Sequence, residues 1–242
     1  MDSVRKTALA AGILYLLTFI GSIPAALLLG AAQVDPTFAL VGISDGQVRL
    51  SAVLELVNAL TCIGTAVAVF SIVKREHEGL ALGFVATRMF EAATISIGIV
   101  MLLTIATLRE TSDASATAIT PALVAIRHWT VVIGPGMASL NALMFGTLLY
   151  RSRLVPRAIP ALGIIGAPLF ISWVVGTMLG VTGPGTLWQG IAVAPFFIWE
   201  LAVGLWMTFK GFNRNAPILA GIDVKAAAPS QPAVMAAKAG LA

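Results

Sequence analysis

The sequence has few charged residues, one cysteine and two histidines, and each shortage excludes a class of protein. Asp, Glu, Lys and Arg make up 11% of the 242 residues, against about 25% in a typical soluble domain. The single cysteine, Cys62, rules out an internal disulfide and a CxxC redox pair, and we interpret it as a small apolar packing residue. His77 and His128 are too few to ligate the zinc of a hydrolase, and neither lies inside an apolar run where a b-type haem would need it.

Other signatures of enzymes are absent from the sequence. No lysine lies in an apolar run where a retinal Schiff base would form, and there is no phosphate-binding loop, dinucleotide fingerprint or Gly-x-Ser-x-Gly motif. The net charge of +4 is spread over several loops rather than gathered in one basic patch, so we predict no nucleic-acid partner. The sequence therefore favours a protein that is not an enzyme, and it predicts no metal and no cofactor.

Long apolar segments dominate the chain instead. Apolar residues make up 58% of it, and six segments are long enough to cross a hydrocarbon core about 30 Å thick as helices. The predicted spans are Thr7–Gly30, Val48–Ile72, Leu80–Ala106, Trp129–Tyr150, Ile159–Val181 and Trp188–Phe209. The sequence predicts an all-α polytopic membrane protein, with a six-helix transmembrane bundle over residues 1–214 and a disordered Ala/Pro-rich cytoplasmic tail over residues 215–242.

The first span also has features of a secretory signal peptide, because Arg5 and Lys6 precede its apolar run. That run continues from Ala8 to Ala32, which is longer than the apolar region of a typical signal peptide. We therefore interpret it as the first transmembrane helix.

Basic residues fall mostly in the segments that share one side of the membrane. Eleven of them precede span 1 or follow spans 2, 4 and 6: Arg5, Lys6, Lys74, Arg75, Arg151, Arg153, Arg157, Lys210, Arg214, Lys225 and Lys238. The other side has three, Arg49, Arg109 and Arg127. By the positive-inside rule both termini are predicted to be cytoplasmic, and residues 31–47 and 107–121 are predicted to be the longer outer connections.

Four charged side chains fall inside the predicted spans: Glu55, Arg88, Glu91 and Glu200. A charge at the centre of a bilayer costs at least ~2.5–3.5 kcal/mol on insertion scales. Such residues are therefore paired, hydrated or used for function, and they are the strongest indication of function in the sequence.

Span 2 has the clearest polar pattern. Ser51, Glu55, Asn58, Cys62 and Thr65 are spaced by four, three, four and three residues, which places all five on one helical face. Lipid would not tolerate that face, so it is predicted to point into the bundle. Two interpretations stay open: a structural seam of hydrogen bonds between helices, or the wall of a hydrated cavity.

Spans 3 and 6 carry the remaining charges. Arg88 and Glu91 are three residues apart on one helical face and can pair within the helix, either to lock helix packing or to serve a site. Glu200 has apolar neighbours on its own helix, so its partner must come from another helix, water or a proton. Residue counting places Glu91 and Glu200 within roughly 5 Å of the membrane midplane, so they can share Arg88.

The charges inside the predicted spans do not balance, because three acids face one base. Arg88 can neutralise one carboxylate, and the other two are expected to be protonated much of the time unless a cation or an outer base serves them. Arg127 and His128, at the outer mouth of span 4, can reach toward Glu55. The alternative is that they are interfacial anchors beside Trp129.

Glycine and proline interrupt two of the spans. Gly134-Pro135-Gly136 predicts a kink in span 4, since proline removes a backbone donor. Gly163, Gly166, Gly176 and Gly180 are expected to allow close helix contact in span 5, the last two as a GxxxG pattern.

Three segments in this order resemble a known family. They are the opening residues 5–19 (RKTALAAGILYLLTF), Arg88-Met89-Phe90-Glu91 in the third span and Trp199-Glu200 in the sixth. Together they are similar to the bacterial domain-of-unknown-function family 4386, over about residues 5–210. The resemblance implies an integral membrane protein of the bacterial inner membrane. It implies no established activity and no functional residue.

The sequence thus favours a membrane protein that binds or transports a small solute or ion, with a link to protons as a further hypothesis. The predicted site lies between spans 2, 3 and 6 and consists of Glu55, Asn58, Arg88, Glu91 and Glu200, with Arg127 and His128 at the outer entrance. The predicted partners are the lipid bilayer and a small solute or proton. Two alternatives stay open: an accessory or sensor subunit whose polar seam is only structural, and an intramembrane enzyme that uses carboxylates.

Overall fold

The computed structural model describes residues 2–30, 43–111 and 114–220. Those ranges contain no strand and six long helices: α1 Ser3–Leu29, α2 Asp45–Val73, α3 Glu78–Thr111, α4 Ala114–Ser152, α5 Ala158–Met178 and α6 Leu187–Phe209. Each is long and apolar enough to cross a membrane. The predicted all-α architecture of six membrane spans is confirmed.

Polar caps mark where several helices begin. The Asp2 carboxylate accepts a hydrogen bond from the Arg5 backbone amide at the start of α1. Ser44 and Gln47 form a reciprocal capping box at the start of α2, and the Thr186 hydroxyl caps α6. Such caps satisfy backbone amides that have no partner within the helix. Polar residues therefore set where these helices begin.

The six helices form a closed ring. Each packs against the next in sequence, and α6 returns to pack against α1. Small residues allow close approach at several of these contacts: a Cβ added to Gly12 in α1 would lie 2.9 Å from the Gly204 carbonyl oxygen in α6, and one on Gly166 in α5 would lie 2.9 Å from the Phe196 amide nitrogen. The ring leaves an interior to which all six helices can contribute side chains.

The two larger apolar cores lie in that interior. The larger one contains a stack of aromatic rings, Tyr15 and Phe84 against Phe145. A smaller core includes Val48, Leu102 and Val124. Along α2, α3 and α4, the buried charged residues come between the segments that belong to these two cores. The charges therefore occupy a layer with apolar packing on both sides.

Helices α3 and α4 are longer than the hydropathy pattern predicts. The predicted connection over residues 107–121 is wrong, because residues 107–111 continue α3 and α4 begins at Ala114. Hydropathy locates the stretch suited to lipid, whereas backbone hydrogen bonds can extend a helix past that stretch into polar sequence. As a result Arg127 and His128 lie well inside α4, and within its candidate membrane span, Ala118–Ser152, rather than at the beginning of the helix.

The glycines and the proline of α4 and α5 have different structural roles. Helix α4 continues through Pro135, and a Cβ on Gly134 would lie 2.9 Å from the Thr94 hydroxyl of α3. Gly163 packs against the Trp199 ring, which is the close helix contact predicted for α5. Gly180 lies beyond the end of α5 with a φ of 71°, so only Gly176 of the predicted GxxxG pair lies within the helix.

The described chain continues past residue 214 and packs on the bundle. Pro217–Leu219 form a short 3-10 helix, Leu219 is buried in the larger core, and Arg75 donates a hydrogen bond to the Ile218 carbonyl oxygen over 3.0 Å. The rest of the predicted disordered tail, residues 221–242, lies outside the described residues, as do residues 31–42 of the first predicted outer connection.

Candidate functional site

The predicted polar face of α2 points into the ring. Ser51, Glu55, Cys62 and Thr65 are buried, and Asn58 is half-buried. The Ser51 hydroxyl donates to the Ala25 carbonyl oxygen of α1 over 3.1 Å, which is one hydrogen bond of the kind that a structural seam would make. The prediction that this face points into the bundle is confirmed.

Arg88 of α3 is the centre of the first charge cluster. Its Nη1 donates to Glu91 Oε2 over 3.1 Å, and its Nη2 donates to Glu200 Oε1 of α6 over 3.0 Å. The side chain is 2% exposed, and its guanidinium lies 5.0 Å from the centre of the Tyr15 ring. Glu91 and Glu200 therefore share Arg88, as the residue count predicts.

Asn141 of α4 completes this cluster and is absent from the predicted site. Its Nδ2 donates to Glu91 Oε2 over 2.6 Å, and the residue is buried. Its Oδ1 and the Nε of Arg88 are buried without a hydrogen-bond partner among the described residues. The available signal was an amide side chain inside the apolar run of α4, since buried amides need partners.

Glu55 of α2 and Arg127 of α4 form a second ion pair. Both guanidinium Nη atoms donate to the carboxylate, Nη1 to Oε2 over 2.9 Å and Nη2 to Oε1. The side chains are 8% and 6% exposed. Gly98 of α3 makes room for this pair, since a Cβ there would collide with Arg127 Nη1. The predicted contact between Arg127 and Glu55 is present.

The position of Arg127 corrects the predicted charge balance. Because α4 begins earlier than predicted, Arg127 is an interior base, and the described interior holds three carboxylates and two guanidinium groups. The predicted count of a single base was wrong. One net negative charge remains when all five groups are ionised. His128 does not take part: its ring lies against Trp129 at 5.3 Å.

Two cavities adjoin these charges, and a third adjoins the first of them. The first, the central cavity, has a volume of about 240 Å³ and is lined at its polar end by Arg88, Glu91 and Glu200. A second of about 100 Å³ is lined by Glu55 and Arg127, and we call it the Glu55 cavity. These two share four lining residues, Ser22, Asn58, Glu91 and Pro135.

The third cavity, which we call the vestibule, has a volume of about 230 Å³. His128, Trp173 and Gln189 are among the residues that line it. It shares Pro135, Phe170 and Val193 with the central cavity. The loop residue Pro184, between α5 and α6, also lines it. The vestibule therefore lies between the central cavity and the end of the ring opposite the two described termini.

A comparison with known protein families finds one whose model matches most of the chain. The model of the family described as Domain of unknown function (DUF4386) matches residues 10–211, from within α1 to the turn after α6. The chain belongs to the DUF4386 family. This confirms the resemblance, and with six helices able to span a membrane the DUF4386 chain is a multi-pass membrane protein in contact with lipid. No match is found among curated proteins or solved structures.

DUF4386 is a family of unknown function, so an activity has to be inferred from the chemistry of the site. The cluster offers carboxylates, guanidinium groups and one amide, which together can bind a cation, exchange a proton or orient a small polar group. Of the predicted residues, Arg88, Glu91 and Glu200 meet directly, Glu55 pairs with Arg127 nearby, and Asn58 lies on the wall between the two.

Proposed function

We propose that this protein binds a small solute in the central cavity of a bacterial inner-membrane bundle, and that solute binding and protonation of Glu91 and Glu200 compete. The observation that supports this most is the central cavity itself. Structural polar networks usually lie in close-packed interiors. Here the ion pairs border a cavity of about 240 Å³.

The lining of the central cavity favours a small organic cation. Its walls include four aromatic rings, Phe19, Phe170, Phe196 and Phe197, whose faces attract positive charge. Its polar end carries Glu91 and Glu200 around the single guanidinium of Arg88. An ammonium group with an apolar body complements both features, since the charge would meet the excess carboxylate and the body would meet the rings.

The charge balance supports a link to protons. The described interior carries one more carboxylate than guanidinium, and an uncompensated charge is costly in a low-dielectric interior. A bound cation or a proton can neutralise the excess, but both together would reverse it. Binding of the cation would therefore release a proton from the Arg88 cluster, which is the elementary step of proton-linked exchange.

The arrangement of cavities supports access from the end opposite the two described termini. The vestibule shares lining residues with the central cavity on the α4, α5 and α6 side. The Glu55 cavity shares others on the α1 and α2 side. A solute entering at that end would meet Gln189 and His128 first and the Arg88 cluster last.

One observation favours the alternative of a structural accessory subunit: each of the three buried carboxylates already has a guanidinium partner. Paired charges can hold helices in register without binding anything. The two functions differ in whether small solutes reach the central cavity, so accessibility decides between them.

The single native cysteine provides that test, because Cys62 lines the central cavity. The purified chain in lipid nanodiscs is treated with 2-aminoethyl or 2-sulfonatoethyl methanethiosulfonate, which are similar in size and opposite in charge. Modification is followed by intact mass, and each rate is divided by the rate with the denatured chain. We expect the ammonium reagent to react about tenfold faster, which corresponds to about 1.4 kcal/mol of preference.

Two variants make the outcome decisive. Glu200→Gln should reduce the preference for the ammonium reagent, because it removes the excess negative charge. The pair Cys62→Ala with Ala138→Cys moves the thiol to another wall of the same cavity and should react with the same charge preference. If neither thiol reacts with either reagent, the cavity is closed to solutes and the structural function stands. A preference for the sulfonate would exclude a cation.

A further inference from the structure

A fourth cavity lies at the end of the bundle that carries both described termini, away from the buried charges. It has a volume of about 570 Å³ and lies between the α4–α5 connection and the end of α6. We call it the basic pocket. Arg153 and Arg157 line it from the connection, and Trp206 and Lys210 line it from α6.

The three cations of the basic pocket have no acidic partner within the described part of the chain. Among the described residues, no carboxylate forms an ion pair with Arg153, Arg157 or Lys210, whereas at the same end Arg151 pairs with Glu76 over 3.2 Å and Arg214 pairs with Asp2 over 2.6 Å. The pocket therefore concentrates positive charge around an open volume. A bound anion would compensate this positive charge.

The backbone at Arg153 supports a function for its side chain. Arg153 has a φ of 55° and is the one residue other than glycine with positive φ in the described chain. This conformation is strained for a residue with a Cβ and suits glycine. Two hydrogen bonds hold the connection in place, from Asn213 Nδ2 to the Arg153 carbonyl oxygen over 3.2 Å and from the Asn213 amide to the Leu154 carbonyl oxygen over 2.8 Å. A positive φ that the surrounding structure holds in place is compatible with a functional site.

The position of the pocket in the bundle indicates which kind of anion it can bind. Helices α4 and α6 end beside it. Trp206 lines the pocket, and Tyr150 lies next to it in the last turn of α4, as aromatic residues do at membrane interfaces. The Arg157 guanidinium stacks on the Tyr150 ring at 4.9 Å. On the last turns of α6, Leu205 and Phe209 are exposed. The pocket thus opens at the depth of lipid headgroups, next to a surface suited to acyl chains.

We propose that the basic pocket binds the phosphate headgroup of an anionic phospholipid, with Arg153, Arg157 and Lys210 around the phosphate and the acyl chains along the exposed face of α6. Guanidinium groups suit this role because they form paired hydrogen bonds with phosphate oxygens. Basic pockets at the interface are known to bind anionic headgroups.

The experiment measures lipid binding to the full chain in detergent by native mass spectrometry. Dioleoyl phosphatidylglycerol is the probe, and phosphatidylcholine with the same chains is the neutral reference. We expect phosphatidylglycerol to bind at least tenfold more tightly. The triple variant Arg153→Gln, Arg157→Gln and Lys210→Gln should lose that preference. The matched control Lys6→Gln, Lys74→Gln and Arg151→Gln removes the same charge from the same end, outside the pocket, and should change it less than twofold.

A single substitution separates lipid binding from folding. Arg153→Gly should lower the affinity for phosphatidylglycerol several-fold and leave the unfolding temperature equal or higher, because glycine relieves the positive φ. Arg153→Lys should retain more affinity than Arg153→Gly. Equal losses in the two triple variants would overturn the proposal in favour of general surface charge. Competition by millimolar inorganic phosphate would overturn it in favour of a soluble anion.

Discussion

At the scale of single residues, Arg88 determines whether the interior tolerates its carboxylates. One guanidinium, 2% exposed, holds Glu91 and Glu200 from different helices. Two aromatic rings, Tyr15 and Phe84, lie within 6 Å of its centre. Removing one partner of a buried ion pair is more damaging than replacing the whole pair, because the remaining charge is left without compensation.

Arg88→Leu is therefore expected to destabilise the protein by about 3–5 kcal/mol, part of which protonation of the stranded carboxylates would recover. Adding Glu91→Gln and Glu200→Gln should restore much of the folded yield, since no ionised group is then stranded. The measurement is the monodisperse fraction and the thermal unfolding temperature in detergent. Glu76→Gln, at a half-exposed pair outside the cluster, is the control and should have little effect. Wild-type stability of Arg88→Leu would show that the ion pairs do not stabilise the fold.

Glu200 carries the second prediction at this scale. Its side chain is 15% exposed and bonds only to Arg88 among the described residues, so it is the carboxylate of the cluster nearest to exchange with the cavity. Glu200→Gln should fold normally, because glutamine resembles the protonated acid in size and hydrogen bonding. Infrared difference spectra between about pH 5 and pH 8 should show a carboxyl band that the variant lacks. Its absence from the wild-type spectra would remove the proton from the proposed function and leave cation binding to be tested alone.

At the scale of elements, the ring closes where α1 meets α6, and glycine makes that contact. A Cβ on Gly12 would lie 2.5 Å from the Thr208 amide nitrogen and 2.9 Å from the Gly204 carbonyl oxygen. Both are backbone atoms, so a side-chain rotation cannot relieve the clash. The Arg5 guanidinium donates to the Met207 and Thr208 carbonyl oxygens over 2.8 and 2.6 Å, which anchors the same pair of helices at their ends.

Gly12→Ala should therefore push α1 from α6 and cost about 1–3 kcal/mol. The matched control is Gly190→Ala in α6, where an added Cβ meets nothing within 4 Å; alanine there should be neutral or stabilising by up to about 1 kcal/mol. Thermal unfolding in the same detergent measures both. Equal behaviour of the two variants would mean that α1 and α6 do not pack this closely.

At the scale of the whole molecule, the two ends of the bundle differ in their cavities and in their number of basic residues. The end with both described termini carries the basic pocket, and the opposite end carries the vestibule. The two ends also differ in the sequence count of basic residues, which is eleven against two when the interior Arg127 is left out. By the positive-inside rule the basic pocket is expected on the cytoplasmic side, and the vestibule would then face outward.

Reporter fusions test this orientation. Glu110 lies near the end of α3 and Arg153 follows α4, so the two positions are at opposite ends of the ring. Alkaline phosphatase, which is active outside the cytoplasm, should be active when fused after Glu110 and inactive when fused after Arg153. A fluorescent protein that folds in the cytoplasm should give the reverse. The opposite pattern would invert the molecule and place the vestibule inside.

The number of spans could be predicted from the sequence, because a hydrocarbon core is crossed by long apolar helices and by few other structures. That Arg88 and Glu91 can pair could also be predicted, since a spacing of three residues brings side chains together on any helix. The inward direction of the polar face of α2 followed from its period for the same reason.

Which helices meet, and which buried groups share a partner, could not be predicted before the folded bundle was known. That Asn141 bonds Glu91, and that Arg127 pairs with Glu55 instead of anchoring the interface, depends on where α4 begins and how it is rotated against α2 and α3. Neither has a local signature, because contacts between helices depend on packing across the ring. The central cavity is likewise a property of the closed ring, since it exists only where all six helices leave space between them.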